Sequence, residues 1–482
     1  MGSTCHNIAK AYGWWLILKA LPKRSAEAAA EIAISMVNLA KDDPRRVIHS
    51  IKVGLALTLV SLFYYFQPLY DDFGVSAMWA VVTVVVVFEF SVGATLGKGL
   101  NRAMATLLAG VLGLGAYRLA SLCGKIGEPL LIASFVFLQA AVSTFMRFFP
   151  NIKARYDYGF LIFMLTFCIV SITGYRQNEI WELAHKRLST IVIGGFASLL
   201  VSIFVYPVWA GEDLHNLVAL NVEKLGSFLE GFGIAYFNIP DELAKDDKSF
   251  LRGYRSVLNS KNIEEALANF ARWEPAHGQY RFGHPWKKYL EVGALIRQCA
   301  YRIDALNGYL VPDIQATVET SEEIREACVK MSLESGAVLK ELASALRAMT
   351  QSPTSVDARL ASSKAAAKSL KLPLLGSASW EDVELVKVIP LATVASLLMD
   401  TVDCTEKIAA AFHDLASQAH FKKIEHSPLS DKSQTAFQTA SENQISSSRD
   451  DCPHAVILLG EITPVTNTVN GDSIEALSGQ HV

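Results

Sequence analysis

The residues with the most chemical potential are charges set among apolar neighbours. Six basic side chains, Lys98, Arg102, Arg147, Lys153, Arg155 and Arg176, stand in or at the ends of long hydrophobic stretches. An arginine or lysine at the centre of a membrane span costs roughly 2.5–3.5 kcal/mol, so one retained there faces water, a partner or a pathway. Rings of basic side chains favour anions in a pore. The six therefore form a candidate anion pathway, and the competing role is to anchor spans and set their topology. Two acids lie among them, Glu89 and Asp157. A buried carboxylate without a partner is costly, so they are expected to pair with neighbouring bases; proton coupling, if any, would rest on the same two. A third group, Asp71, Asp72, Glu179 and Glu182, falls in turns on the other side of the membrane. Oxygen ligands of this kind suit a hard, highly charged external cation; solvated surface acids are the competing reading.

Enzyme signatures are missing. There is no phosphate-binding glycine loop, no GxSxG, no HExxH and no paired metal-ligand cluster. The eleven histidines are dispersed, and His277 and His284 flank Tyr280-Arg281-Phe282 without the acids or thiols a metal site needs. Cys5, Cys123, Cys168, Cys299, Cys328, Cys404 and Cys452 are odd in number and form no CxxC pair, which fits a reduced compartment and no zinc. The reading is a non-enzyme without cofactor or metal. A formal net charge of −3 excludes a generally basic nucleic-acid binder.

Spans must position these charges. About 17–25 apolar residues cross a bilayer, and six stretches qualify or nearly do: 53–70, 73–97, 103–117, 129–146, 158–175 and 188–211. The valine run from Val81 to Val87 reads as helix, since in lipid only a helix satisfies its own backbone. Asp43 is a helix cap before Pro44 at the first helical position, and Gln67-Pro68 ends the first span. Lys41, Arg45, Arg46 and Lys52, the second connection (Lys98, Arg102) and the fourth (Arg147, Lys153, Arg155) carry the positive charge, so both termini are expected in the cytosol. Gly110, Gly113 and Gly115, and Gly194 with Ser198, mark close helix approach.

The overall figures, 51% hydrophobic and 19% charged over 482 residues, average unlike parts. Residues 53–206 hold 10 basic and 7 acidic residues, whereas residues 207–482 hold 26 and 36. After residue 210 the pattern becomes amphipathic. Leu214, Val218, Val222, Leu225 and Leu229 share one helix face; Ile324, Cys328, Met331, Val338, Leu342 and Ala345 a second; Val394, Leu398, Thr401, Ile408 and Phe412 a third. Helices are expected near 212–236, 249–270, 285–310, 319–349 and 383–420, with 351–378 a loose connector. The expected fold is an all-α membrane protein, six transmembrane helices followed by a cytosolic helical bundle. Its parts are a cytosolic N-terminal segment (1–43), a six-span anion-pore domain (44–210), a cytosolic helical domain (211–424) and a disordered tail (425–482).

Several motifs resemble one family. The run Phe73-Gly-Val-Ser-Ala-Met-Trp-Ala80, Val84-Val-Val-Val-Phe-Glu-Phe90 and Ser91-Val-Gly-Ala-Thr-Leu-Gly-Lys-Gly-Leu-Asn-Arg102 is similar to that of the aluminium-activated malate transporters of plants. So are Asp42-Asp-Pro-Arg-Arg46, Lys153-Ala-Arg-Tyr-Asp-Tyr-Gly159, Gly174-Tyr-Arg176, Ala184-His-Lys-Arg-Leu188 and Pro207-Val-Trp-Ala-Gly-Glu-Asp-Leu-His215. Farther on, Trp273-Glu274-Pro275 and His284-Pro-Trp286 fit the same pattern. The resemblance implies anion channels for malate and inorganic anions that work as homodimers in the membrane lipid, with six spans per subunit. It also implies a pore lined by bases of the second and fifth spans, positions matched here by Lys98, Arg102, Lys153, Arg155 and Arg176. Some members respond to external aluminium; Asp71 and Glu182 lie in the matching turns, but Asn178 stands where a responsive member would carry a further acid. The exit from the sixth span, Phe204 to His215, resembles a region proposed to take the amino acid GABA. Gln67-Pro-Leu-Tyr70 and Ile152 to Gly159 lean towards the plasma-membrane members rather than those of the vacuolar membrane.

Two functions compete. One is a passive, gated anion channel whose cationic vestibule concentrates doubly charged malate and releases it through weak multisite binding. The other is a proton-coupled exporter of organic acids built on Glu89 and Asp157. A scaffold or receptor that conducts nothing is the third, less favoured by the resemblance.

Overall fold

The computed structural model describes residues 30–65, 78–174, 180–237, 251–310, 322–375 and 385–423. These residues are helical almost throughout. No strand occurs among them, and the isolated bridges pair His277 with Tyr280 and Thr350 with Lys422. The chain divides into two units, residues 1–44 with 444–482, and residues 45–443. An exposed helix over residues 30–42 belongs to the first unit. The second unit holds an apolar helical layer and a helical bundle. The tail expected to be disordered, 425–482, lies outside the described residues.

Six apolar helices come first: α1 (Pro44–Tyr65), α2 (Met78–Val87), α3 (Val92–Ser121), α4 (Gly124–Met146), α5 (Pro150–Gly174) and α6 (Ile180–Phe204). Four of them contain segments long and apolar enough to cross a membrane: Val92–Ser121, Ile126–Met146, Arg155–Thr173 and His185–Phe204. Their outer faces carry exposed Leu107, Leu108, Val111, Phe137, Leu138, Leu165 and Phe196, as a lipid-facing surface requires. α3 packs along α5 and α6, and α2 along α6. Two of the small residues serve close approach. A Cβ on Gly194 would lie 2.9 Å from the Thr83 Cβ of α2, and one on Gly113 would lie 3.1 Å from Val170 of α5. Gly110 and Gly115 face open space.

The helix boundaries correct the expected spans. The stretch 73–97 is not one helix: α2 stops at Val87, the chain opens over residues 88–91, and α3 then runs unbroken for 30 residues. Ser91 causes the restart. It is extended (φ −103°, ψ 154°), and its hydroxyl accepts from the Ala94 N–H at 3.3 Å, a side-chain cap. Lys98 and Arg102 are therefore not in a connection between spans but on the first three turns of one helix. Gly93 and Gly97 on these turns are there for packing. The sixth span also ends early, at Phe204 rather than 211, where Tyr206 turns through φ 51°.

The second layer is a bundle: α7 (Ala210–Tyr236), α8 (Lys261–Ala271), α9 (Trp286–Asn307), α10 (Glu322–Ala348), α11 (Thr354–Leu375) and α12 (Leu385–Gln418). α7 is central, packing on α8, α9 and α10; α12 closes against α9 and α10. Every residue of the three apolar stripes is buried. Each fully buried Leu, Val or Ile contributes about 1.5–3 kcal/mol by leaving water, which is why the stripe rather than local propensity decides these helices. Phe228, Phe232 and Tyr236 stack along α7, with centroids 5.7 and 5.6 Å apart. The segment 351–378, expected as a loose connector, is largely the helix α11. Its Ala, Lys and Leu are strong helix formers, and Val356, Ser363, Ala366 and Leu370 are buried along it. The Ser363 hydroxyl meets that of Ser335 on α10 at 3.0 Å. The helix expected over 249–270 resolves into a single turn, Arg255–Leu258, and α8.

Candidate functional site

The opened backbone at residues 88–91 and the first turns of α3 build the site. Thr95 folds the open segment back, its hydroxyl accepting from the Glu89 N–H at 3.0 Å. That places the Glu89 carboxylate beside Lys98, and the two form an ion pair. One turn further along, Arg102 is only 3% exposed and donates from Nη1 to the Tyr158 hydroxyl of α5 at 2.8 Å. Lys98 Nζ lies 6.0 Å from the centre of the same Tyr158 ring. The Asn101 amide donates to the Arg155 carbonyl at 3.1 Å and fastens α3 to the start of α5.

Two further cations occupy the helical interior. Arg187 of α6 is 4% exposed, and its guanidinium sits 4.0 Å over the Trp79 ring of α2, a cation–π contact. It lies close enough to Arg102 to feel its charge. Lys52 of α1 is 1% exposed and donates to the Tyr206 carbonyl at 3.1 Å. Among the described residues no carboxylate pairs with Arg102, Arg187 or Lys52. The Nε atoms of Arg102 and Arg187 are buried without a hydrogen-bond acceptor, as are the hydroxyls of Thr106, Thr166, Ser171 and Ser202. Buried charges are ordinarily paired. Arg102 and Arg187 are thus buried bases, each with an Nε that lacks an acceptor and with no acid partner among the described residues.

The remaining candidates behave differently. Arg147 is committed to Asp157, with Nε to Oδ1 at 2.6 Å and Nη2 to Oδ2 at 3.2 Å, a bidentate pair. Lys153 and Arg155 are exposed on the first turns of α5. Arg176, Asp71, Asp72 and Glu179 lie outside the described residues, and Glu182 falls on α6 with its side chain outside them. No group of three or more metal-ligating side chains occurs among the described residues.

The bundle is joined to this site through Trp273, Glu274 and Pro275. A Cβ on Gly97 of α3 would lie 2.9 Å from Trp273 Cδ1, and one on Gly93 would run into Glu274 and the Phe270 carbonyl; the glycines let the loop seat directly on α3. Glu274 is buried, and its carboxylate accepts from the N–H of Ala210 at 2.6 Å and of Gly211 at 3.0 Å, the first turn of α7. It also packs against Gly93 of α3. One side chain thus satisfies two orphan donors of α7 while touching α3. Burial pushes its pKa up to about 7, against the opposing pull of those backbone donors. Beside it, His277 stacks on Trp209 at 3.8 Å. Behind it, the Tyr289 hydroxyl bridges His215 at 2.9 Å and His284 at 3.3 Å. Burial lowers both histidines to about 4, so they are neutral. Arg45 of α1 donates to Asp213 of α7 at 2.9 Å, a second tie between the layers.

Sequence reasoning misses Arg187 and Lys52 as members of the site: Lys52 counts there among the topology-setting charges, and Arg187 only within the run Ala184-His-Lys-Arg-Leu188. A signal existed for Arg187: Ile191, Gly194 and Ser198 follow it at helical spacing, a buried face with small residues. Lys52 gives no such signal, because its partner is a backbone carbonyl.

Apolar helices with exposed hydrophobic flanks and an unpaired cationic interior define a helical membrane protein. Comparison with known proteins then gives the family. A family model described as aluminium activated malate transporter matches residues 37–379. Aluminum-activated malate transporter 2 of Arabidopsis thaliana is 54% identical over 452 residues, covering 93% of this chain and 89% of the relative. Aluminum-activated malate transporter 1 of Triticum aestivum is 45% identical over 422 residues, covering 85% and 90%. The chain belongs to the aluminium-activated malate transporter family.

Proposed function

We propose that the protein is a malate-permeable anion channel that moves malate and inorganic anions passively through a gated pathway. The observation that carries this reading is Arg102 and Arg187, both buried, near enough for one charge to act on the other, with unused donors and no acid partner among the described residues. Malate, a dicarboxylate, offers the oxygens those donors lack, and the names of the relatives support it as the permeant anion. In this reading the six apolar helices lie in the bilayer, the bundle and both termini face the cytosol, and a second copy of the chain completes the pore. The plasma membrane is the site of action, and the outer acids Asp71, Asp72, Glu179 and Glu182 are where external aluminium would act.

Glu89 is tied to Lys98, and Asp157 to Arg147. Both acids are engaged by a neighbouring base, which weighs against a proton-coupled exporter. Whole-cell recording after expression of the chain tests the proposal. Inward currents carried by efflux of malate, nitrate or chloride, with a reversal potential that follows the anion gradient and ignores the proton gradient, are expected. A saturating flux whose reversal moves with pH would overturn it.

A further inference from the structure

We propose that the loop from Arg272 to Trp286 holds the headgroup of an anionic phospholipid at the foot of α3. This rests on the proposed function, in which α3 to α6 lie in the bilayer. The loop surrounds a cavity of about 120 Å³ whose lining includes Arg272, His277, Tyr280, Arg281, Phe282 and Trp286. Arg272 and Arg281 are both exposed, and neither guanidinium has an ion pair or a hydrogen bond to any described residue. Elsewhere on the bundle Arg325, Arg347 and Arg359 are paired with acids. Phe282, next to Arg281 and lining the same cavity, has 86% of its surface exposed. Guanidiniums sharing a cavity with a bare aromatic ring suit the boundary between headgroups and acyl chains, where the ring enters the apolar layer and the cations meet phosphate.

The loop has the placement and the rigidity this needs. Trp273, at its start, packs on Gly97 of α3, and the Arg155 guanidinium at the start of α5 lies 6.0 Å from the Trp273 ring. The cavity is therefore level with the turns by which two spans enter the membrane. At 1.5 Å per residue the 30 residues of α3 extend about 45 Å, longer than the roughly 30 Å hydrocarbon layer. Its charge-free part begins after Arg102, so the earlier turns stand at headgroup depth. The loop shape is fixed by paired backbone bonds between His277 and Tyr280, at 3.1 and 2.9 Å, and by positive φ at Gly278 and Gly283. The small cavity accommodates a phosphate and part of its headgroup, and the acyl chains would lie along α3.

Native mass spectrometry of the full-length chain in detergent, titrated with phosphatidylinositol 4-phosphate, phosphatidylserine or phosphatidylcholine, tests the site. Preferential retention of the anionic lipids is expected. The double variant Arg272→Gln with Arg281→Gln should weaken it about thirtyfold, from the usual contribution of two basic side chains near an anionic surface, and Arg272→Lys with Arg281→Lys should restore most of it. Phe282→Ser should weaken lipid retention without changing competition by soluble inositol 1,4-bisphosphate. Equal retention of phosphatidylcholine, or full retention by the glutamine variant, would overturn the proposal. Soluble inositol 1,4-bisphosphate binding as tightly as the lipid would also overturn it, by making the ligand a free phosphate. Malate efflux from proteoliposomes of the same preparations separates the lipid site from the channel. Absent efflux with intact lipid preference sinks the channel and not the lipid site; normal efflux without preference sinks the lipid site alone.

Discussion

Replacing Glu274 by glutamine should remove a specific pH dependence of stability. The wild-type carboxyl is raised from 4.5 to about 7 because burial outweighs its backbone donors. A shift of that size corresponds to about 3 kcal/mol at 1.36 kcal/mol per pKa unit. The sign follows from proton linkage. Between pH 4.5 and 7 the folded chain keeps the proton while the unfolded chain has lost it, so this group's contribution falls as pH rises and is flat above about 7. His215 and His284 act in the opposite sense: lowered from 6.5 to about 4, they leave full stability above pH 6.5 and remove it as pH falls towards 4. The two slopes oppose each other below pH 6.5, so a wild-type scan alone would hide both. Subtracting Glu274→Gln, which lacks the carboxyl but keeps the histidines, isolates the acid. Thermal unfolding of the full chain in nanodiscs, followed by tryptophan fluorescence from about pH 4.5 to 8, reads the difference. The wild type should lose several degrees relative to the variant on going from pH 4.5 to 7, and no more above that. A difference that is flat with pH, or one that grows in favour of the wild type as pH rises, would refute the assignment of a raised pKa to this junction.

The same packing supports other expectations. Gly97→Leu should undock Trp273 from α3 and lower malate current by tenfold or more while leaving the helical content of the bundle unchanged by circular dichroism. Arg297→Met should destabilise the bundle by about 3–5 kcal/mol in denaturant titration, because it strands the fully buried Glu264. Ser363→Leu, forced against Ser335 between α10 and α11, should cost about 1–3 kcal/mol by overpacking, whereas Ser363→Ala should cost little more than one buried hydrogen bond, about 1 kcal/mol.

Much of the bundle was legible because each helix buries a stripe with the helical period, as Leu214 to Leu229 and Val394 to Phe412 show. α11 escaped because its buried face holds only Val356 and Leu370 as large apolar residues, with Ser363 and Ala366 between them, and so carries little hydrophobic contrast. The apolar layer was legible as hydrophobic segments but not as helix boundaries. That Gly93 and Gly97 sit inside a helix is explained only by their tertiary partners, Phe270 with Glu274 and Trp273. The cationic pathway was half visible. Lys98 and Arg102 stood out as charges in apolar sequence, but that Arg147 is paired with Asp157 while Arg187 has no acid partner among the described residues shows only in the folded chain.

The most direct test compares malate currents of the wild type with those of Arg102→Gln combined with Arg187→Gln, both at matched surface expression, with Arg147→Gln as a base outside the interior pair. If the buried guanidiniums bind the permeating anion, losing one charge-assisted contact of about 1.5–3 kcal/mol should reduce malate conductance by about tenfold to a hundredfold, and the relative permeability of malate to chloride should change. Unaltered malate conductance and selectivity in the double variant would contradict an anion pathway through this site.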